Sequence, residues 1–165
     1  LTAGIQDITN AMVEDFRISD LLRMIIETIY RAMALHRIVF CMRDAKTDCL
    51  TGRFGLGADT DKLASCFKIS LQAQADLFTA VCNKGADTMI SDATESRMAA
   101  RLPAWYKQAV NAPTFLLLPL QIKGKPFGLI YADKAVPGSL VLNEKELALL
   151  RTLRNQAVMA FKQSS

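Results

Sequence analysis

The chain has 165 residues, of which 51% are hydrophobic and 22% are charged, and its net charge is +4 at neutral pH. This length and composition are typical of one folded domain and exclude a disordered chain. Apolar runs of about five residues are too short to span a membrane, and no secretion signal precedes them. The basic residues are dispersed, whereas a nucleic-acid surface usually shows them clustered, so we expect neither a membrane nor a nucleic acid as partner.

The four cysteines, Cys41, Cys49, Cys66 and Cys82, are far apart in the sequence, and the chain has one histidine, His36. Zinc sites usually need paired cysteines or more histidines, so no metal site is predicted. Cys41 and Cys82 stand in apolar runs and are expected to be buried, reduced thiols. A cytoplasmic location is the expectation from this cysteine usage.

Two helices are predicted at the start of the chain. Thr2 to Phe16 has apolar residues at helical spacing, and we interpret residues 1–17 as a linker and N-terminal helix. The chain begins at Leu1 without a methionine, which suggests that it was excised from a longer multidomain protein. Ser19 is the predicted N-cap of the second helix, whose apolar stripe runs from Leu21 to Met33.

A β-hairpin and several short elements are predicted next. The hairpin pairs Arg37–Met42 with Leu50–Leu56, and period-2 spacing places Leu50, Phe54 and Leu56 on one face. The following elements are a helix at Asp59–Ser65, a strand at Phe67–Leu71, a helix at Ala73–Asn83 ended by Gly85, and a brief strand at Thr88–Ser91.

The segment from Asp92 to Ala112 is irregular, and we expect it to lie over the sheet as short helices and loops. A second hairpin follows, in which two apolar runs meet at a Lys123-Gly124 turn. Asn143 and Glu146 then have the spacing of a capping box, which predicts a long final helix from Glu144 to about Lys162.

Two motifs resemble those of GAF domains, the sensory modules of many bacterial signalling proteins. One is the second hairpin, through Leu117, Leu118, Pro119, Gly124, Gly128, Leu129, Ile130 and Tyr131; the other is Ile90-Ser-Asp-Ala93 followed by Arg97. The resemblance implies an α+β fold of the GAF (profilin-like, PAS-like) type over residues 1–165, as a single domain. Such a fold has a central, mainly antiparallel sheet, N- and C-terminal helices on one face, and a loop and helix lid over a pocket on the other.

The resemblance also implies a function. GAF domains are non-catalytic sensory or regulatory modules that bind small molecules, form dimers through their terminal helices, or do both. More narrowly, Leu116–Lys134 and Asn143–Gln163 are similar to GAF domains that follow an HDOD domain. The expected partners are therefore a small-molecule ligand, a second copy of the chain and an attached signalling domain outside this sequence.

The resemblance implies a place for a ligand and leaves its identity unknown. Asn83-Lys84 lacks the remaining residues of the family's cyclic-nucleotide signature, and the segment from Asp92 to Ala112 lacks the cysteine and histidine that bilin attachment needs. His36 could serve as a haem ligand, but a structural histidine is the commoner case. The candidate ligand-binding residues are Phe54, Asp92, Arg97, Trp105, Tyr106 and Tyr131.

Two alternatives stay open at this stage. The domain could be a dimerisation module without a ligand, in which Trp105 fills the layer beneath the lid and Asp92 caps a helix. It could also be a thiol-based enzyme similar to the methionine sulfoxide reductases of the family, for which Cys49 and Cys66 are the candidate thiols. No catalytic residues are predicted in the preferred reading.

Overall fold

A computed structural model describes residues 4, 5, 8, 17–72 and 76–164. The chain divides into a helical unit, Leu1–Ala34 with Leu142–Ser165, and a second unit, Leu35–Val141, that contains the sheet. Most of the first predicted helix and the first residues of the predicted Ala73–Asn83 helix lie outside the described residues, although residues 4, 5 and 8 are helical.

The described elements, in chain order, are α1 (Ile18–Ala32), β1 (Arg37–Asp44), β2 (Cys49–Gly57), α2 (Thr60–Cys66), β3 (Lys68–Ser70), α3 (Leu77–Lys84), β4 (Thr88–Ile90), α4 (Ser96–Ala99), β5 (Thr114–Ile122), β6 (Lys125–Lys134) and α5 (Glu144–Ser164). A π-helical turn, Tyr106–Val110, lies between α4 and β5. Nearly every predicted helix and strand is present, and the observed ends differ from the predicted ones by a few residues.

The helical unit contains α1 and α5, which pack against each other. Helix α1 begins two residues earlier than predicted, with Arg17 as the N-cap and no side-chain bond to the first turn. The prediction of Ser19 as the cap is therefore wrong, because Ser19 lies inside the first turn. The capping box of α5 is confirmed, since Asn143 Oδ1 accepts from the Glu146 amide at 2.8 Å and Glu146 Oε1 accepts from the Asn143 amide at 3.2 Å.

The described strands of the second unit form one antiparallel six-stranded sheet, in the order β3-β2-β1-β6-β5-β4. This arrangement confirms the α+β class and the mainly antiparallel sheet. The β5–β6 hairpin turns at Lys123 and Gly124, whose φ angles are +53° and +76°. Two successive positive φ angles are typical of the primed turns that match the twist of a hairpin.

One side of the sheet carries Val39, Cys41, Leu129 and Tyr131, and we call it the lid face because buried residues of the segment from Ala93 to Pro113 pack over it. A β-bulge interrupts the pairing of β1 with β2, because Phe40 pairs with Phe54 whereas Cys41 pairs with Gly52. The extra residue, Arg53, shifts the alternation by one. Predicting Leu50, Phe54 and Leu56 on one face was therefore wrong for Leu50, which lies on the lid face.

Helix α2 packs directly against β2, and two glycines make this close approach possible. A side chain at Gly52 would overlap the backbone of Ala64 in α2, and one at Gly55 would crowd Thr60 and the Ile38 carbonyl. Strand glycines often mark such close contacts between backbones. The glycines thus set how near α2, and the residues that follow it, come to the sheet.

No described helix combines the length and the apolar character that crossing a membrane requires.

Replacing Gly52 with alanine tests the contact between α2 and β2. The new methyl group has no space beside the Ala64 backbone, so we expect the free energy of unfolding to fall by about 2 kcal/mol or more. Urea denaturation measures the change. The exposed neighbour Arg53 provides the control, since Arg53→Ala should cost less than about 0.5 kcal/mol. Equal losses in the two variants would contradict this account.

Candidate functional site

We call the segment from Ala93 to Pro113 the lid. An aromatic cluster fills the space between it and the lid face of the sheet. Within the described residues the cluster contains six rings, those of Phe67, Phe78, Trp105, Tyr106, Phe115 and Tyr131. Their contacting centroids are 4.9 to 6.5 Å apart, and most pairs are tilted, as the charge distribution of aromatic rings favours.

Several elements contribute these rings. Phe115 and Tyr131 come from β5 and β6, and Phe67 follows α2 directly. Phe78 lies in the first turn of α3, which Asp76 caps by accepting from the Thr79 amide at 2.9 Å. The cluster therefore depends on the sheet register, on the close approach of α2 and on the cap of α3.

The lid contributes Trp105 and Tyr106 from adjacent positions. Tyr106 and Val110 are buried, whereas the three residues between them are exposed. The Asn111 amide donates to the Tyr106 carbonyl at 2.7 Å, which closes the wider π-helical turn. This turn directs Tyr106 towards the sheet.

A buried ion pair lies beside the aromatic cluster. Asp133 accepts from Arg37, with its Oδ2 at 3.0 Å from Nε and 2.8 Å from Nη2. The Arg37 side chain is only 12% exposed and that of Asp133 is fully buried. A charge this deeply buried is stable only when it is paired and hydrogen-bonded.

Two tyrosine hydroxyls extend this ion pair to the lid. The Tyr131 hydroxyl donates to Asp133 Oδ2 at 2.6 Å, so its oxygen is left to accept from Tyr106 at 2.9 Å. The Tyr106 hydroxyl also lies 3.2 Å from the Ala112 carbonyl. Burial raises the pKa of both tyrosines well above the ordinary value, which keeps the two hydroxyls protonated.

Backbone contacts also hold the lid. Arg37 Nη2 donates to the Val110 carbonyl at 3.0 Å, so the same guanidinium binds both Asp133 and the lid. The Ala93 amide donates to the Pro113 carbonyl at 2.7 Å, which joins the two ends of the lid. The Leu77 amide donates to the Arg101 carbonyl at 2.9 Å. The lid backbone is thus tied to the sheet and to α3.

The Asp133 carboxyl group is electrostatically unusual. Burial raises its pKa above the ordinary value of 3.8, although the Arg37 and Tyr131 hydrogen bonds act in the opposite direction. Among the described residues, Asp133 Oδ1 has no hydrogen-bond partner. The group therefore bears a desolvation cost that its partners offset only in part.

The six candidate ligand-binding residues occupy three places. Trp105, Tyr106 and Tyr131 lie together in the aromatic cluster. Asp92 and Arg97 line a shallow surface groove of about 330 Å³, where Asp92 accepts from the Thr94 amide at 2.9 Å. Phe54 lies on the sheet face opposite the cluster, with its ring 5.6 Å from that of Phe40. The structure does not bring these three places together.

Sequence reasoning missed the ion pair. Arg37 and Asp133 are 96 residues apart in the chain, and nothing local links them. One signal was present in the sequence. Asp133 follows the apolar run Phe127–Ala132 and shares a strand face with Tyr131, two residues before it. A carboxylate on a buried face needs a buried partner. Arg37 begins a neighbouring apolar strand and was the available cation.

A larger groove of about 580 Å³ lies at the other end of the sheet, beside the β1–β2 and β5–β6 turns. Lys123 and Lys125 line it together with Arg43 and Asp48, which form an exposed ion pair at 2.8 Å. The groove is open and far along β1 and β6 from the ion pair of the lid. It contains none of the candidate residues.

The cysteines are free in the structure, and only Cys66 is partly exposed. Burial raises the pKa of Cys82 to about 12 and that of Cys41 further. Cys49, one of the two candidate thiols, is buried and lies 3.5 Å from the Thr47 carbonyl. The raised pKa values of Cys41 and Cys82 disfavour the thiolate, which is the nucleophilic form.

Comparison with known proteins identifies the family. The model of the GAF domain matches residues 17–161, which is most of the chain. No curated protein sequence matches the chain.

Solved structures share the fold at low sequence identity. The GAF domain of a phosphoenolpyruvate-protein phosphotransferase from Acinetobacter superposes with a TM-score of 0.77 at 15% identity, over 99% of this chain and 93% of that one. Residues 122 to 287 of a methyl-accepting chemotaxis protein give a TM-score of 0.75 at 19% identity, over 94% and 95%. A free methionine-R-sulfoxide reductase from Neisseria meningitidis, in complex with its substrate, gives a TM-score of 0.69 at 16% identity, over 96% of this chain and 87% of that one.

The raised pKa of Asp133 predicts a specific pH dependence of stability. The folded state holds a proton on Asp133 more tightly than the unfolded chain does. The contribution of Asp133 to stability is therefore greatest below the unfolded pKa of about 3.8 and falls as pH rises through the raised folded pKa. We expect the difference in unfolding free energy, wild type minus Asp133→Asn, to decrease over this interval, as urea denaturation at a series of pH values will measure.

The comparison of the wild type with Asp133→Asn also controls for the other carboxyl groups with shifted pKa values. Asp48 is half-buried and Asp92 is exposed, and both have lowered pKa values, because of hydrogen bonds from Arg43 and Thr94 respectively. Their contributions are lost as pH falls, which is the opposite direction, but they are present in both proteins and cancel in the difference. A difference that stays constant or grows with pH would contradict a raised pKa at Asp133.

Proposed function

Because the chain belongs to the GAF domain family, we propose that it is a non-catalytic sensory or regulatory module of a bacterial signalling protein. The observation that carries this proposal is the aromatic cluster beneath a lid that Arg37, Tyr106, Tyr131 and Asp133 tie to the sheet. Ligand sites in proteins are mostly apolar and aromatic, with few polar groups. A small molecule that binds between the lid and the sheet would compete with the ring contacts that the lid now makes.

The candidate residues that belong to this proposed site are Trp105, Tyr106 and Tyr131. Asp92 and Arg97 belong to the separate surface groove, where the guanidinium of Arg97 is suited to a carboxylate or phosphate. Phe54 is placed on the other face of the sheet and would act only by supporting β1 through Phe40. The lid cluster is thus the principal site that we propose.

The signalling context is the finer part of the proposal. A chemotaxis protein and a phosphotransferase are among the structures of the same fold, which supports a regulatory role in a cytoplasmic, multidomain protein. The similarity of residues 116–134 and 143–163 to GAF domains that follow an HDOD domain supports an HDOD domain as the attached partner. The module would then transmit its state to that domain.

A homodimer through the terminal helices is also part of the proposal. Helix α5 buries Leu150, Leu153 and Ala157, while Met159 on another side is 51% exposed and Phe161 is partly exposed. Apolar groups that stay exposed on a packed helix are suited to a second copy. A dimerisation module without a ligand is the alternative that shares this surface.

A thiol-based reductase remains the enzymatic alternative, since a methionine sulfoxide reductase has the same fold. Catalysis would need a reactive thiolate with a resolving partner. Cys41, Cys49 and Cys82 are buried, and the raised pKa values of Cys41 and Cys82 oppose thiolate formation. These features support the non-catalytic role.

Mass spectrometry of the freshly purified chain, under native and then denaturing conditions, tests the proposal. We expect a dimer whose native mass exceeds that of two bare chains, because a bound small molecule is released only on denaturation. The excess gives the mass of the ligand. A control sample is first dialysed extensively, so that weakly held buffer components are recognised.

Two results would count against the sensory role. A bare dimer, whose melting temperature is unchanged by a metabolite library and varies only with protein concentration, would favour the dimerisation module. Turnover of free methionine sulfoxide that Cys66→Ser abolishes would establish the enzyme instead.

A further inference from the structure

The indole of Trp105 occupies a slot between two other aromatic rings. Its centroid lies 5.0 Å from that of Phe67 and 5.2 Å from that of Phe78. Both phenylalanines are fully buried, whereas Trp105 is only partly buried. Trp105 is therefore the outermost ring of the cluster, in contact with the core on one side and solvent on the other.

The lid is held on both sides of Trp105. Before it, Leu102 is buried and the Arg101 carbonyl accepts from Leu77. After it, Tyr106 is buried and its hydroxyl bonds to Tyr131. Trp105 itself has ordinary helical backbone angles, φ −60° and ψ −35°. Such backbone angles are compatible with more than one side-chain rotamer.

The slot selects for shape and for aromatic character more than for charge. Its walls are the rings of Phe67 and Phe78, with Tyr106 beside them. The nearest buried charges, Arg37 and Asp133, bind each other behind Tyr131. An ionic ligand would find no free counter-charge among these groups, while a flat neutral ring would keep the stacking that the indole makes now.

We propose that this slot is the ligand site of the domain, that it takes a neutral, planar molecule of two fused rings, and that Trp105 occupies it as a tethered substitute when no ligand is bound. The inference rests on the proposed sensory function and specifies its ligand class. A ligand must displace the indole, so its apparent affinity is lowered by the fraction of molecules in which the slot is closed. Binding would expose Trp105 to solvent, which changes the surface of the lid.

Indole is the probe for the first experiment, because it is the group that the slot now holds. Trp105→Ala should melt at a lower temperature than the wild type, and indole should restore the loss. At a free indole concentration of ten times its dissociation constant, the folding equilibrium constant should rise about elevenfold. The matched control is Phe54→Ala, which removes a ring on the opposite sheet face and should gain no stability from indole.

The second experiment uses the wild-type chain and does not depend on the folding of a variant. Trp105 is the only tryptophan in the sequence, so protein labelled with fluorotryptophan has one fluorine resonance. Titration with indole should move this resonance towards its position in the unfolded chain, as the labelled ring leaves the slot. Cyclohexanol, a non-planar molecule of one ring, should leave the resonance in place.

The two experiments together decide the proposal. Rescue of Trp105→Ala by indole, with displacement of the fluorine resonance in the wild type, would support it. An unmoved resonance at saturating indole would overturn it, whether or not the variant folds, and so would equal rescue of Phe54→Ala. Either of these two negative results would exclude only the slot as the ligand site. The regulatory role is tested separately, by native mass spectrometry of the wild-type protein.

Discussion

The carboxylate of Asp133 joins three parts of the second unit. Through Arg37 it binds β1 and, by the same guanidinium, the Val110 carbonyl of the lid. Through the hydroxyls of Tyr131 and Tyr106 it reaches the lid a second time. Because a buried carboxylate is costly when any partner is missing, the strand register, the π-helical turn and the end of the lid must all form together.

This constraint distinguishes two parts of the lid, namely the backbone, which buried polar groups hold, and the Trp105 side chain, which makes ring contacts. Tyr106 is committed to the hydrogen-bond chain, and its neighbour Trp105 only packs against Phe67 and Phe78. Loss of stacking contacts costs less than breaking a buried polar network, in which each orphaned group adds its own desolvation cost. In the proposed mechanism a ligand replaces Trp105 and leaves Asp133 paired, so that the sheet keeps its structure.

Local rules predicted the parts of the fold that depend on a few neighbouring residues. The Lys123-Gly124 turn was predictable because glycine tolerates a positive φ angle and stands where two apolar runs meet. The sheet face on which Phe54 lies was not predictable, because it depends on a β-bulge that forms only when β1 and β2 pair. The pairing of Arg37 with Asp133 was not predictable either, because the two residues are 96 positions apart and meet only when β1 pairs with β6. Aromatic residues in the lid were identifiable as candidates, but their partners were not.

Amide hydrogen exchange in Tyr131→Phe tests the central claim, that the hydrogen-bond chain holds the lid. The substitution removes one hydroxyl, and we expect the amides of Ala93 and Asn111, which close the lid, to exchange faster by at least tenfold. The amides of the β5–β6 hairpin should remain as protected as in the wild type. Tyr30→Phe, in α1, is the control and should leave the lid unchanged. Uniform acceleration across the second unit, or no acceleration in the lid, would contradict the account.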